Sequence, residues 1–392
     1  MKKIRLNVLK ICRLVFLLAA VAARGQNEII IEHQITMGMT PPTPVSLQGF
    51  SGEVLDVLKF DLYVQGFSFV TPDAAQYIIS GSNAGNVQGR VTDRFSKSSL
   101  LARSYTGASL RREAHTFADD IVFVTRHAKG IALTKIAFKD EAPNGEGEIY
   151  VADFDGYNPQ AVTHDGAIVA APAWVPGRLA LYYTSYKLGN PDIFCHDLAT
   201  GQRRAIARYS GLNSSAAVSP DGTRVAMILS KGGSPNVYVC NADGTGLKKL
   251  TSTSEDSSPG WSPDGRWICF ATKINARRRL AKVPASGGEV QVVNTIGVSN
   301  PTEPDWSPDG KWIAFTSQMR EFDVCVVPAN GGDATILVPG EDPSWAPNSR
   351  TLIYARRTAS YRYVLSVLDA PTKQFKDVPR VSGSDSQPAW AR

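Results

Sequence analysis

Three aspartates recur in one setting. Asp221, Asp264 and Asp309 each occupy an S-P-D-G string, 43 and 45 residues apart. Repeated carboxylates suit general acid–base chemistry or calcium binding. His164 and His196 could ligate a metal, and Cys195, Cys240, Cys269 and Cys325 could pair as disulfides. The surroundings favour quieter roles. Each aspartate is the third residue of a turn, where its side chain accepts local backbone hydrogen bonds. The string "DFDG" at 153 to 156 lacks the further acidic positions of a calcium loop. The two histidines form no cluster at ligand spacing, and no C-x-x-C occurs. Each cysteine lies in an apolar, strand-like run ("DIFCHD", "VYVCNA", "WICFAT", "DVCVVP") and reads as a small buried hydrophobe. No catalytic residue, cofactor or metal is expected.

The elements that carry these residues repeat. S-P-D-G is a type I turn, with proline second and glycine fourth, between runs rich in aromatic and β-branched residues. Aligned on the residue before it, the anchors are Trp174, Val218, Trp261, Trp306, Trp345 and Trp390, spaced by 44, 43, 45, 39 and 45. A period of this length with four strand-like runs per unit predicts a β-propeller. The last anchor has no following strand, while 133 to 140, 147 to 156 and 159 to 164 read as three strands without a first. Together they complete a sixth blade, closed by pairing 387 to 391 with 134 to 139. Such closure leaves no long edge strand exposed.

Upstream the pattern differs. Residues 1 to 25 carry five cations before the apolar run "LVFLLAAVAA", the layout of an export signal too short to span a bilayer. The formal net charge of +6 equals the six cations of that segment, which holds no acid. The mature chain is therefore near neutral, and a nucleic-acid surface is not expected. Arg277, Arg278 and Arg279 form its densest basic run and read as solvated charges at a hairpin tip. Residues 26 to 130 predict a small α/β domain. A helix over 52 to 64 places Val54, Leu55, Leu58 and Leu62 on one face, with Gly66 as its cap. Strands follow in "FSFV", "QYIISGS", "NVQGRVTD" and "SLLARSY". A second helix over 107 to 126 turns Leu110, Ala114, Phe117, Ala118 and Ile121 inward. The propeller then fills 131 to 392.

The order of motifs resembles the TolB family of the Tol–Pal envelope system. It is carried by "HTFADDIVF", "KIAF", "DFDGYN", the repeated P-x-W-S-P-D-G, "TEP" at 302 to 304 and the terminal "PAW", across nearly all of the mature chain. The resemblance implies a periplasmic binding protein, monomeric and reaching the membranes only through partners. Its propeller would hold the peptidoglycan-associated lipoprotein Pal on one face, and its mature N-terminus would contact inner-membrane-anchored TolA. The system supports outer-membrane integrity and constriction at division. For the Pal-like contact, the loops entering the first strands of neighbouring blades offer Asn213, Ser215, Ser257, Ser258, Thr302 and Glu303. Small polar side chains there suit a wet interface. For the TolA-like contact, residues 26 to 36 offer Glu28 and the β-branched Ile29, Ile30, Ile31 and Ile35, which suit strand addition.

Three other readings stay open. Related propellers cap peptidases, but those need a G-x-S-x-G elbow that this chain lacks. Others are metal-dependent lyases with several channel histidines, where this propeller has two. A generic exported propeller with another partner is the third possibility.

Overall fold

A computed structural model describes residues 36 to 381 and 383 to 392. The segment expected to make the TolA-like contact, residues 26 to 36, thus lies outside it except for Thr36, and Glu28, Ile29, Ile30, Ile31 and Ile35 are not described. Six four-stranded antiparallel sheets follow a five-stranded sheet. The six are the blades of the expected propeller.

Each blade begins with an inner strand. These are Val169–Trp174, Asn213–Val218, Ser254–Trp261, Pro301–Trp306, Glu341–Trp345 and Asp385–Trp390, in blades one to six. The S-P-D-G turn then reverses the chain. Ser262 donates its hydroxyl to Asp264 at 2.6 Å, and the Trp267 and Arg266 amides bond Ser262 and Asp264 at 2.9 and 3.0 Å. Gly265 takes the positive φ of 67° that closes the turn. The Ser262 bond holds Asp264 down at about 2, and Ser219 does the same for Asp221. These aspartates build turns. Cys240, Cys269 and Cys325 are buried in the blades, Cys195 partly so.

Blade six joins the two ends of the ring. Asp385–Trp390 runs antiparallel to Lys135–Glu141, with Trp390 opposite Ile136 and Asp385 opposite Asp140. The expected closure is present, two residues longer at its start.

The α/β layer has strands β1 (Thr43–Gln48), β2 (Phe67–Phe69), β3 (Tyr77–Ser82), β4 (Gln88–Asp93) and β5 (Ser99–Ser104), in the order β2-β1-β3-β4-β5. Its helices are α1 (Gly52–Tyr63) and α2 (Leu110–Arg126). In α1, Val57 is buried where Leu55 was expected and Leu55 is only half-buried. In α2, Ser109 caps the Arg112 amide at 3.2 Å. The helix therefore starts at Leu110, which stays exposed rather than inward. Ala114, Phe117, Ala118 and Ile121 are buried as expected. The unforeseen strand is β1, whose Pro44 lacks a donor. Its carbonyl accepts the Gln76 amide at 2.8 Å, so the strand pairs on both sides despite the proline.

The layer packs on blades five and six through the turns at one end of their strands. Gln374 reaches the Phe67 carbonyl at 3.1 Å and Thr351 the Val64 carbonyl at 3.5 Å. One hydrophobic core runs from Phe117 and Leu58 to Phe154, Ile353 and Trp390. A buried polar knot sits beside it. His115 Nδ1 lies 2.7 Å from Asp61 and its Nε2 3.8 Å from Asp155, while Arg111 pairs with both Asp155 and Glu53. Burial holds the Asp61 carboxyl above its ordinary range despite His115 beside it. The sequence strings "HTFADDIVF" and "DFDGYN" thus meet in one interdomain contact. The Gln374 and Thr351 contacts engage one end of the blades, where their S-P-D-G-type turns lie, and they leave the other face of the ring open.

Candidate channel-mouth binding site

At one point in every inner strand the ladder slips by a residue. In blade one Ala173 pairs with Tyr182 but Ala170 pairs with Thr184, so Ala171 and Pro172 together face Tyr183. The same shift separates Ser214 from Ala217, Ser257 from Gly260, Thr302 from Asp305, Glu341 from Ser344 and Ser386 from Ala389. These are β-bulges at the same place in every blade, and the inner strand of blade three has a second shift between Ser254 and Ser257.

The first bulged residue is left-handed in all six. Ala171, Ser215, Ser258, Glu303, Asp342 and Gln387 have φ between 50° and 55°. Each such non-glycine residue costs about 1–2 kcal/mol, a strain that persists only where the surroundings enforce it. A proline follows in five blades, Ala216 in the other. Proline is tolerated at a bulge because no ladder donor is needed there. The ring of bulges forms the mouth of a central cavity of about 590 Å³, lined by these residues and by inner-strand prolines and tryptophans.

The mouth is uneven. Blades one to three contribute Ala171, Ser215 and Ser258, which are small and neutral. Blades four to six contribute Glu303, Asp342 and Gln387, and here side chains stitch neighbouring blades. Glu303 accepts the Thr316 hydroxyl at 2.5 Å and the Asp342 amide at 3.2 Å, and Gln387 accepts the Ala171 amide at 2.8 Å. Burial, then the charges of Glu303 and Glu341, push the Asp342 carboxyl well up. Burial also raises Glu341, with Glu303 adding to it. At the far end of the channel, Arg392 bonds the carbonyls of Trp345 and Trp306 at 3.1 and 3.2 Å and pairs with Asp305.

Of the six residues put forward for the Pal-like contact, three line this channel: Ser215, Ser258 and Glu303. All six lie within inner strands, not in loops before them. Ser257 and Thr302 are the ladder partners just ahead of the bulge. Asn213 is fully buried, its amide spent on Pro191, Tyr209 and Gly211 carbonyls, so its side chain shapes the turn instead of facing outward. The reading missed Ala171, Asp342 and Gln387. Their signal was available, since each precedes the proline of a P-x-W anchor.

Among the described residues, no three His, Cys, Asp or Glu side chains are grouped to hold a metal ion. His164 lies exposed and His196 is buried in a strand. The arrangement offers a rigid, concave docking mouth.

Comparison with known proteins agrees with this architecture. The TolB beta propeller domain family matches residues 124–392. A relative from Bordetella pertussis, the Tol-Pal system protein TolB, is 30% identical over 312 residues, covering 78% of this chain and 71% of the relative. Its counterpart in Bordetella bronchiseptica is likewise 30% identical over 78% of the chain and 70% of the relative. The crystal structure of TolB from Acinetobacter baumannii superposes with a TM-score of 0.81 at 22% identity, covering 91% of this chain and 98% of that one, which supports the fold. By the family match and by these relatives, the chain belongs to the TolB β-propeller family.

Proposed function

We propose that this protein is a periplasmic, non-catalytic component of a Tol–Pal system. In this reading residues 1 to 25 are its export signal. The open face of the propeller seats a Pal-like lipoprotein, with Ser215, Ser258 and Glu303 in the contact. Residues 26 to 36 reach a TolA-like inner-membrane protein. The observation that carries the reading is the ring of six left-handed bulge residues around the channel mouth, at the opposite end of the blades from the Gln374 and Thr351 contacts with the α/β layer. Backbone held in a costly conformation by its whole surroundings is typical of a ligand-facing position. A standing concavity of this size also spares a partner the cost of ordering the site.

The relatives' name supports the system, and the sequence supports the division of labour between the two ends. The test is affinity capture from envelope extract of the same organism, with the mature chain as bait and the bound chains identified. Recovery of an OmpA-like lipoprotein together with a TolA-like protein is expected. Recovery of neither would overturn the assignment.

A further inference from the structure

The open face carries a second charge pattern outside the channel. In each blade the hairpin between the second and third strands ends on this face. In blade two, for example, the Ser230 amide bonds the Leu212 carbonyl just ahead of the inner strand, at 3.0 Å. Five of the six tips carry a cation, although at the fourth it stands beside the exposed Glu321. Lys187 marks the first, Lys231 the second, Arg277 the third, Arg320 the fourth and Arg362 the fifth.

Nearer the axis the sign reverses, and the innermost tip-side cations lean onto that acid. Lys187 pairs with Asp165 at 3.6 Å, Lys273 with Glu255 at 3.0 Å and Arg357 with Glu341 at 3.6 Å. Farther out, Lys231, Arg277, Arg320 and Arg362 are exposed and make no ion pair among the described residues. Exposed apolar side chains stand beside some of these charges, with Leu188, Met319 and Tyr361 at the first, fourth and fifth tips. The sixth tip inverts the pattern: Asp140, Glu141, Glu146 and Glu148 outnumber Lys139, which is itself buried. The face thus has an acidic centre, a crown of cations over five blades that is weakest at the mixed fourth tip, and one acidic gap at the sixth.

Resting on the reading that this face holds the lipoprotein, we propose that it recognises a protein bearing an acidic collar broken by one basic patch, seated so that the patch meets the sixth tip. Complementary rims of this kind steer encounter and fix register. Exposed tyrosine, methionine and arginine beside the charges are the residue types enriched in protein contacts. A bilayer of anionic lipid fits less well. Its flat negative surface would meet the acidic centre and the sixth tip, and it would leave the recess empty.

The test uses the mature chain and the purified soluble domain of the lipoprotein, titrated calorimetrically at about 50 mM and about 500 mM salt. The triple variant Lys231→Glu, Arg277→Glu, Arg320→Glu should bind at least about tenfold more weakly at low salt, with the gap closing at high salt. Lys311→Glu, in the exposed turn on the opposite face, should bind as the parent does. Equal affinity of the triple variant and the parent, or binding indifferent to salt, would overturn the inference alone. A parent chain that fails to bind the lipoprotein would instead overturn the reading on which the inference rests. Capture of the parent, but not the triple variant, by vesicles of phosphatidylglycerol and phosphatidylcholine would replace the protein partner with a lipid surface.

Discussion

Trp390 donates its indole N–H to the Thr134 hydroxyl at 2.8 Å, joining positions 256 residues apart. The same ring stacks on Phe154 with centroids 6.1 Å apart, and Phe154 packs against Phe60 of α1. Closure of the propeller and attachment of the α/β layer therefore share one side chain.

Trp390→Ala should cost about 3–5 kcal/mol, because it removes a large buried ring from a core that spans both parts. Deleting residues 387 to 392 should do worse, exposing the edge of Lys135–Glu141 to aggregation. Thermal unfolding with light scattering reads both. A deletion variant that melts within a couple of degrees of its parent, without scatter, contradicts closure as the ring's clasp.

The clasp should also respond to pH. Burial first, and then the Asp140 charge opposite, push Asp385 up to about 7. An aspartate raised in the folded state binds its proton more tightly there than in the unfolded chain. Its contribution is thus fully present below the unfolded value near 4 and is lost as pH rises through about 7. Asp119, raised to about 6 chiefly by burial, acts in the same direction. Asp385→Asn should flatten part of the fall in melting temperature between pH 5 and pH 8 and raise it at pH 8 by a few degrees. An unchanged pH profile would show that Asp385 does not titrate in this window.

The interdomain knot gives a third outcome. Arg111→Ala strands the nearly buried Asp155 beside Asp61, an uncompensated charge of the kind that costs about 3–5 kcal/mol. Urea unfolding should show the loss, and Arg111→Ala with Asp155→Ala should recover part of it. A double variant no better than the sum of the two single ones would mean that the pair is not coupled.

The propeller was legible because its information is local. S-P-D-G fixes a turn within four residues, and the spacing of Trp174, Trp261, Trp306, Trp345 and Trp390 repeats it often enough to count blades. The sixth blade followed from an unpaired remainder at each end. What the sequence hid depends on distant partners. β1 was not anticipated, and only the chains that pair on both sides of it show that the donor Pro44 lacks is not needed. The contact of His115 with Asp61 and Asp155 joins three segments whose spacing carries no pattern. Asn213 resembled an exposed polar residue, yet a turn folds over it. The bulge ring lay between these extremes: it repeats in register, but a left-handed residue before proline has no distinctive side chain.

Removal of residues 26 to 36 should abolish capture of the TolA-like protein and leave the melting of the propeller in place. Met37, the next residue, is buried with Trp345 and Leu352 and is kept in the truncated chain. A truncated chain that retains the TolA-like protein at full affinity would assign that contact elsewhere.

The channel mouth as docking site is tested most directly by titrating the lipoprotein's soluble domain into the parent chain and into Ser215→Arg, Ser258→Arg. Both serines line the neutral half of the mouth, where two long cations would fill the entrance without touching a buried core. The parent should bind, and the double variant, with unchanged melting, should lose at least about a hundredfold in affinity, as expected when the centre of an interface is blocked. A folded double variant that binds as tightly as the parent would place the partner elsewhere.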